Sequence, residues 1–385
     1  MTMKVVIAMD SFKGSMSSVE AGNAACVGVK KTCNAEVVVR PMADGGEGTA
    51  KALVDGLDGE YVYLDVSGPM GEIVHAKYGI LDDKITAVIE MAEACGLTLV
   101  KKEERNPWKA TTYGLGEMIL DAMKRGCREF IVGIGGSATT EGGIGMLKAL
   151  GYEFLDENGQ LISEGVEGLG EIASICGDHV SDELKQCRFQ IACDVKNPLY
   201  GENGAVYAFG LQKGVKPEER QQMDEKLIHF AKKTKEYIGV DNSTRKGAGA
   251  AGGLGFAFLS YLPHTQLKSG VELVSKAVRL EDDIKNADIV ITGEGCMDGQ
   301  TVMGKVPVGV AHQAKKYGKI VIAFAGIAME SAGVCNEEGI DAFFPVIRNV
   351  TTLEEAMLPE NAKKNLELTV EQVFRLLDSK FGSLN

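Results

Sequence analysis

The sequence predicts an α/β protein of two domains, one carrying a parallel sheet built from both chain ends and one inserted between them with a mixed sheet. Three observations predict it. Both ends alternate short apolar runs with helical patterns, at residues 5–9, 36–40, 288–292, 319–325 and 342–346. Between them, residues 61–66, 72–81 and 85–91 form three extended runs joined by tight polar turns, the pattern of an antiparallel meander. Finally, 385 residues suffice for two domains of ordinary size. The expected division is residues 1–60 with 286–385, and 61–285 as the insertion. Two crossings of one boundary predict a ligand cleft with a hinge.

Composition narrows the class. Hydrophobic content of 45% and charged content of 25% are those of a globular protein. A net charge of −13 argues against nucleic acid or an anionic membrane as the partner. Any anionic substrate must then be received by local lysines, arginines and backbone amides. The nine cysteines are odd in number and lack a Cys-x-x-Cys pair, so neither a disulfide framework nor a zinc cage is expected. The first apolar run is cut short by Asp10, unlike a signal peptide, and no run reaches membrane length. A cytoplasmic protein is expected; the oligomeric state is not legible.

In chain order, the first strand ends in Asp10, Ser11 and Lys13, before a helix with Ser17 or Ser18 as N-cap and Glu20 in its first turn. Open parallel sheets place ligands at such strand ends; a solvated turn would also account for Lys13. The strand at 36–40 ends in a glycine-rich loop carrying Asp44 and Glu47. Acidic side chains there suit magnesium or hydroxyl groups, although helix capping also explains Glu47. A polar segment, 105–112, holds Arg105 and the only Trp; a helix follows and stops at Gly126.

Residues 131–151 read strand, small-residue loop, helix, with Gly133, Gly135, Gly136, Gly142 and Gly143 between. Glycines admit a ligand close to the backbone, and the unpaired first N–H groups of the helix favour an anion. Gly133-x-Gly135-x-x-Ala138, with Asp156 downstream, also fits the dinucleotide fingerprint. Against it, Thr139, Thr140 and Glu141 delay the helix, and residues 152–162 read as a hairpin turning at Asn158-Gly159.

The strand at 189–193 leads to Asp194, well placed for a general base, although a turn aspartate fits the spacing too. A charged helix spans 218–237, and a second small-residue tract, 246–255, could hold an anion or allow close packing. The strand at 288–292 ends in Gly293-Glu294-Gly295, followed by Asp298, Lys305 and a helix to 317; a closing helix follows Thr352.

DSFKGS (10–15), ADGGEGT (43–49), RNP (105–107), GIGGSAT (133–139), CDVKNPLYG (193–201), QKG (212–214), GAGAAGGLG (247–255) and ITGEG…D…QT (291–301) occur in this order. Together they closely resemble the type I glycerate kinases of bacterial glyoxylate and sugar-acid catabolism. The resemblance implies ATP- and magnesium-dependent phosphorylation of D-glycerate to 2-phosphoglycerate. It also implies a Rossmann-like domain from both chain ends with an α/β domain inserted. The family's arginine after TGEG is Cys296 here, its Asn-Asp after GGSAT is Thr140-Glu141, and its proline before QKG is Leu211. Lys305 could supply the lost charge.

Under this resemblance Asp194, Lys13 and Arg105 are the catalytic candidates. Asp194 would take the proton of the 2-hydroxyl, and Lys13 and Arg105 would hold the glycerate carboxylate, aided by Asp10, Ser11 and Lys213. Nucleotide phosphates would lie on Gly135, Gly136 and Ser137 and on Gly293, Glu294, Gly295 and Lys305. Asp44, Glu47 and Asp298 are the magnesium candidates. Two other classes compete: an NAD-dependent hydroxy-acid oxidoreductase, and a non-enzymatic small-acid binding or sensing protein. Release of ADP that depends on both ATP and glycerate separates them.

Overall fold

The computed structural model describes residues 2–381. Its strands are β1 (Lys4–Met9), β2 (Glu36–Val39), β3 (Glu60–Ser67), β4 (Ile73–Ile80), β5 (Thr86–Glu90), β6 (Glu129–Gly133), β7 (Glu153–Leu155), β8 (Ser174–Cys176), β9 (Arg188–Ala192), β10 (Thr265–Lys268), β11 (Ile289–Met297), β12 (Ile320–Ala328) and β13 (Ala342–Pro345). The chain divides into two compact units. The terminal unit comprises residues 1–44, 51–58 and 269–385, and the inserted unit 45–50 and 59–268. Residues 269–285, read from sequence as part of the insertion, supply helices Gly270–Ala277 and Leu280–Asn286 to the terminal unit. Among the described residues no helix is long and apolar enough to cross a membrane.

The terminal unit is built on a wholly parallel sheet of order β13-β12-β11-β1-β2. Ile7 lies beside Ile291, and Ile291 beside Ile322, so the central strands are apolar on both faces, as a sheet covered on both sides requires. The helix Ser18–Lys30 begins in a capping box: the Ser17 hydroxyl accepts from the Glu20 N–H and the Glu20 carboxylate accepts from the Ser17 N–H. This helix packs closely on the closing helix Pro359–Phe381, since a Cβ on Gly28 would lie 2.5 Å from the Glu367 carbonyl.

One element differs from expectation here. β11 does not stop at residue 292 but runs through Gly293, Glu294 and Gly295, paired to β12 as far as Met297. The glycines serve strand contact. A Cβ on Gly293 would meet the Phe324 carbonyl at 2.1 Å, and one on Gly326 the Gly295 carbonyl at 2.4 Å. What looked like a phosphate loop is therefore sheet.

The inserted unit carries a six-stranded mixed sheet of order β10-β9-β6-β5-β4-β3. The meander is present, with β3, β4 and β5 antiparallel; β5, β6, β9 and β10 are parallel. Register brings Glu90, Gly133 and Ala192 level, so three parallel strands end together along one sheet edge. Beneath lies an aromatic core in which Phe130 stacks on Phe189 at 4.8 Å and Phe154, Phe230 and Tyr261 meet edge-on or stacked. The helix Tyr113–Lys124 ends before Gly126, whose φ of 97° suits glycine, as the sequence predicts. The expected hairpin at 152–162 is reduced to a turn with an isolated Leu155–Leu161 bridge, and β7 pairs instead with β8. In the second small-residue tract a Cβ on Gly252 would lie 2.0 Å from the Thr139 carbonyl, and the Gly142 N–H donates to the Gly252 carbonyl. The tract is there for close packing.

Candidate active site

In the terminal unit the C-terminal ends of β1 and β11 gather charge. The Asp10 N–H donates to the Gly293 carbonyl, which fixes the residue just past β1, and its carboxylate accepts from the Ser11 N–H at 2.6 Å. Burial, then the Asp44 carboxylate, pushes the Asp10 pKa up to about 7, with Glu294 adding to the effect; the Ser11 N–H and Lys13 oppose it. Lys13 lies 3.8 Å from Asp44. Glu294 is buried, accepts from the Thr301 hydroxyl at 2.6 Å and pairs with Lys305 at 3.3 Å. Lys305 also stands 3.7 Å from Asp298.

Glu294 thus enters as an acid held by Lys305, whereas the sequence reading grouped it with the residues lying against nucleotide phosphate. Asp10, Ser11, Lys13, Asp44, Glu294, Gly295 and Lys305 all border one cavity of about 320 Å³.

The donor set of this cluster suits a hard cation bound together with phosphate oxygens. Burial first, and then the neighbouring carboxylates of Asp44 and Glu294, hold the Asp10 pKa up to about 7. Among the described residues no three acidic, histidine or cysteine side chains are placed to hold an ion by themselves. Magnesium commonly takes only one or two carboxylates and fills its shell with phosphate and water. Of the three magnesium candidates, Asp44 and Asp298 belong to this unit, while Glu47 is exposed on the segment 45–50 of the inserted unit.

In the inserted unit the site follows the level strand ends. After β6 the loop leaves Gly135 and Gly136 exposed and turns Ser137 inward. It is pinned by the Leu97 N–H to the Gly136 carbonyl and the Ala138 N–H to the Cys95 carbonyl. Lys213 comes from the turn Leu211–Lys213, closed by Gly214 at φ 98°. Its ammonium donates to the Ser137 hydroxyl at 2.7 Å and the Thr139 carbonyl at 2.6 Å, and it is 2% exposed. Burial lowers its pKa from 10.5 to about 7. Arg105 donates to the Gln212 carbonyl at 3.0 Å, so it braces the same turn, while its Nε is buried without a partner. Asp194 is exposed two residues beyond β9, on the same sheet edge.

The helix after this loop corrects the sequence reading. It spans only Ile144–Ala149, and its first turn already holds a carboxyl group, that of Glu141, whose pKa burial raises. The fully buried Glu141 carboxylate accepts from the N–H groups of Gly145 and Thr112 and from the Thr112 hydroxyl. The Met146 N–H goes to that same hydroxyl. No exogenous anion is needed at this helix end; the exposed loop at Gly135 and Gly136 is what remains open. The dinucleotide fingerprint fails for the same reason, since its glycines precede no helix directly. Asp156 caps an exposed turn, accepting from the Asn158 and Gln160 N–H groups.

Sequence reasoning missed Glu90. It ends β5, is buried, and accepts from the Ala50 N–H at 2.7 Å, tying the segment 45–50 to the inserted sheet. Burial raises its pKa, with Glu93 and Glu47 adding to it against the Ala50 and Gly48 N–H groups. A carboxylate closing an otherwise apolar strand was the available signal.

The glycerate kinase family model matches residues 5–378. A glycerate kinase of Halalkalibacterium halodurans is 46% identical over 94% of this chain and 97% of its own length. A protein of Escherichia coli K12 named glycerate 2-kinase is 45% identical over 92% and 93%. A crystal structure from Salmonella typhimurium LT2, provisionally named glycerate kinase 2, superposes with a TM-score of 0.91 at 42% identity, covering 99% of this chain and 100% of that one. The match of the family model to nearly the whole chain, the sequence identity and the structural superposition agree, and the chain belongs to the glycerate kinase family.

Proposed function

We propose that this protein transfers the γ-phosphoryl group of ATP, with magnesium, to the 2-hydroxyl of D-glycerate, giving 2-phosphoglycerate and ADP. Membership of the kinase family calls for a nucleotide phosphoryl donor. The 2-position is supported by the name of the Escherichia coli relative. The observation that carries the acceptor side is Lys213, a buried ammonium whose partners are a hydroxyl and a carbonyl and whose pKa is lowered by burial alone. A dry cation next to neutral oxygens favours an incoming carboxylate or phosphate.

The inserted unit then supplies the acceptor groups. Lys213 and Arg105 hold the glycerate carboxylate, and Asp194 accepts the proton of the 2-hydroxyl as its oxygen bonds to phosphorus and the bond to ADP breaks. The exposed Gly135 and Gly136 offer backbone N–H groups to the phosphoryl being transferred, alongside Ser137. The terminal unit supplies the donor groups. Lys13 and Lys305 neutralise nucleotide phosphate, which moves Lys13 from the glycerate carboxylate to the donor because it shares its surroundings with Asp44 and Asp10. Asp44 and Asp298, with Asp10 beside them, would hold magnesium, whose chemistry is to neutralise phosphate charge. Phosphoryl transfer is largely positioning and charge stabilisation, which these groups provide.

Product analysis after incubation with ATP, magnesium and D-glycerate tests this reading. 2-Phosphoglycerate and ADP in equal amounts are expected. Formation of 3-phosphoglycerate alone would overturn the regiochemistry, and no turnover would overturn the activity.

A further inference from the structure

The cavity of the terminal unit has two chemically different ends. Asp10, Lys13, Asp44, Glu294 and Lys305 form the polar one. The other is walled by Phe12, Ile327, Val346, Ile347, Leu353 and Met357. Three of these are unusually open for large apolar side chains: Ile327 is 42% exposed, Ile347 36% and Leu353 72%. Apolar side chains left to water around a concave site mark a ligand surface. Glycerate is too small and too polar to use it. A volume of 320 Å³ falls at the lower end of pockets for cofactor-sized ligands, about 300–1,000 Å³.

We infer that this apolar end binds the purine base and ribose of the phosphoryl donor. The inference rests on the kinase reading above and assigns the nucleoside subsite within it. Asn365 of the closing helix lies on the same wall. Its amide offers one donor edge and one acceptor edge side by side, which is the complement of an adenine edge. The helix Leu353–Met357 and the start of Pro359–Phe381 cover the base, while β11 and β12 provide the floor through Gly295, Gly326 and Ile327. Gly326 cannot carry a side chain there without striking the Gly295 carbonyl, so the floor is kept flat. From this seat the phosphate chain leads to Lys13 and Lys305, at the polar end of the same cavity.

Isothermal titration calorimetry of the full chain with ADP, adenosine and inorganic tripolyphosphate tests the assignment. Two variants are compared: Ala356→Trp, which places an indole in the cavity from a half-exposed position, and Asn365→Ala, which removes the amide. Both should weaken ADP and adenosine about tenfold or more, the worth of a lost hydrogen-bonded pair or of excluded volume, and leave tripolyphosphate unchanged. Circular dichroism melting checks that each variant is folded, and Asn365→Ala carries the test if Ala356→Trp is not. Unchanged adenosine and ADP affinity in a folded variant overturns the inference. A raised KM for glycerate with unaltered nucleotide affinity also overturns it, by giving the cavity to the acceptor. Because binding is read without turnover, an inactive protein that still loses ADP affinity in the variants would refute the kinase activity and leave the nucleoside subsite standing.

Discussion

The two groups of candidate residues solve opposite electrostatic problems. In the terminal unit, carboxylates crowd: Asp10 is held up to about 7 by burial and by Asp44, and Lys13 and Lys305 answer them only in part. In the inserted unit the ammonium of Lys213 is driven down to about 7 by burial and donates to a hydroxyl and a carbonyl. One region has acid to spare and suits a ligand that arrives with a metal ion; the other has a cation to spare and suits a bare anion. Donor and acceptor of a phosphoryl transfer differ in the same way.

The sharpest way to break this comparison is Asp194→Asn. If the inserted unit carries the acceptor, the variant should lose about 10²-fold or more in kcat, the usual worth of a positioned base. Nucleotide affinity should hold. A wild-type kcat in steady-state assays would remove Asp194 from the chemistry.

Lys213→Met comes next. Losing a charge-assisted hydrogen bond of roughly 1.5–3 kcal/mol should raise the KM for glycerate about 10- to 100-fold. The ammonium form binds an anion better, so wild-type glycerate affinity should fall as pH rises above about 7, and the variant should lose that dependence. A KM profile flat with pH in the wild type would place the carboxylate elsewhere.

If Arg105 helps to hold the glycerate carboxylate, Arg105→Ala should act in the same direction and by no more than that, because part of its hydrogen bonding goes to bracing the turn through the Gln212 carbonyl. Should the KM for ATP rise instead, Arg105 serves phosphate and the division of labour is reversed.

The smallest effect sharpens the contrast directly through stability. Asp10 has a raised folded pKa, so its contribution is complete below about 3.8 and is lost as pH rises through about 7. Lys213 has a lowered folded pKa, so its contribution is complete above 10.5 and is lost as pH falls through about 7. Each tilts the stability curve by at most about 1.4 kcal/mol per pH unit. Denaturant titrations should show Asp10→Asn flattening the fall between pH 4 and 7, and Lys213→Met flattening the rise between 7 and 10. Tilts in the same sense would contradict the opposed burial of the two groups.

Much of this was legible because it is local. The run of residues 5–9 ending at Asp10, the helix start at Ser17 or Ser18 with Glu20 in its first turn, the Gly126 helix stop and the meander follow from residue period and turn chemistry, which need no distant partner. Three things were illegible for one reason. Gly293 and Gly295 look like a loop until β12 supplies the neighbour that needs them small. The helix end at Ile144 looks open until Thr112, distant in sequence, brings Glu141 into it. The 320 Å³ cavity requires the closing helices to lie over the ends of β11 and β12.

The sequence by itself therefore determined much of the order of strands and helices, the parallel sheet shared by the two chain ends, the family, the strand ends that carry Asp10, Lys13, Asp44 and Asp194, and the polar segments that carry Arg105 and Lys213. Only the tertiary structure decided which of these groups are dry, which are paired and which glycines exist for packing. Burial and pairing depend on atoms brought in from far along the chain, and a pKa responds to the density of those atoms, which no local pattern of residues encodes.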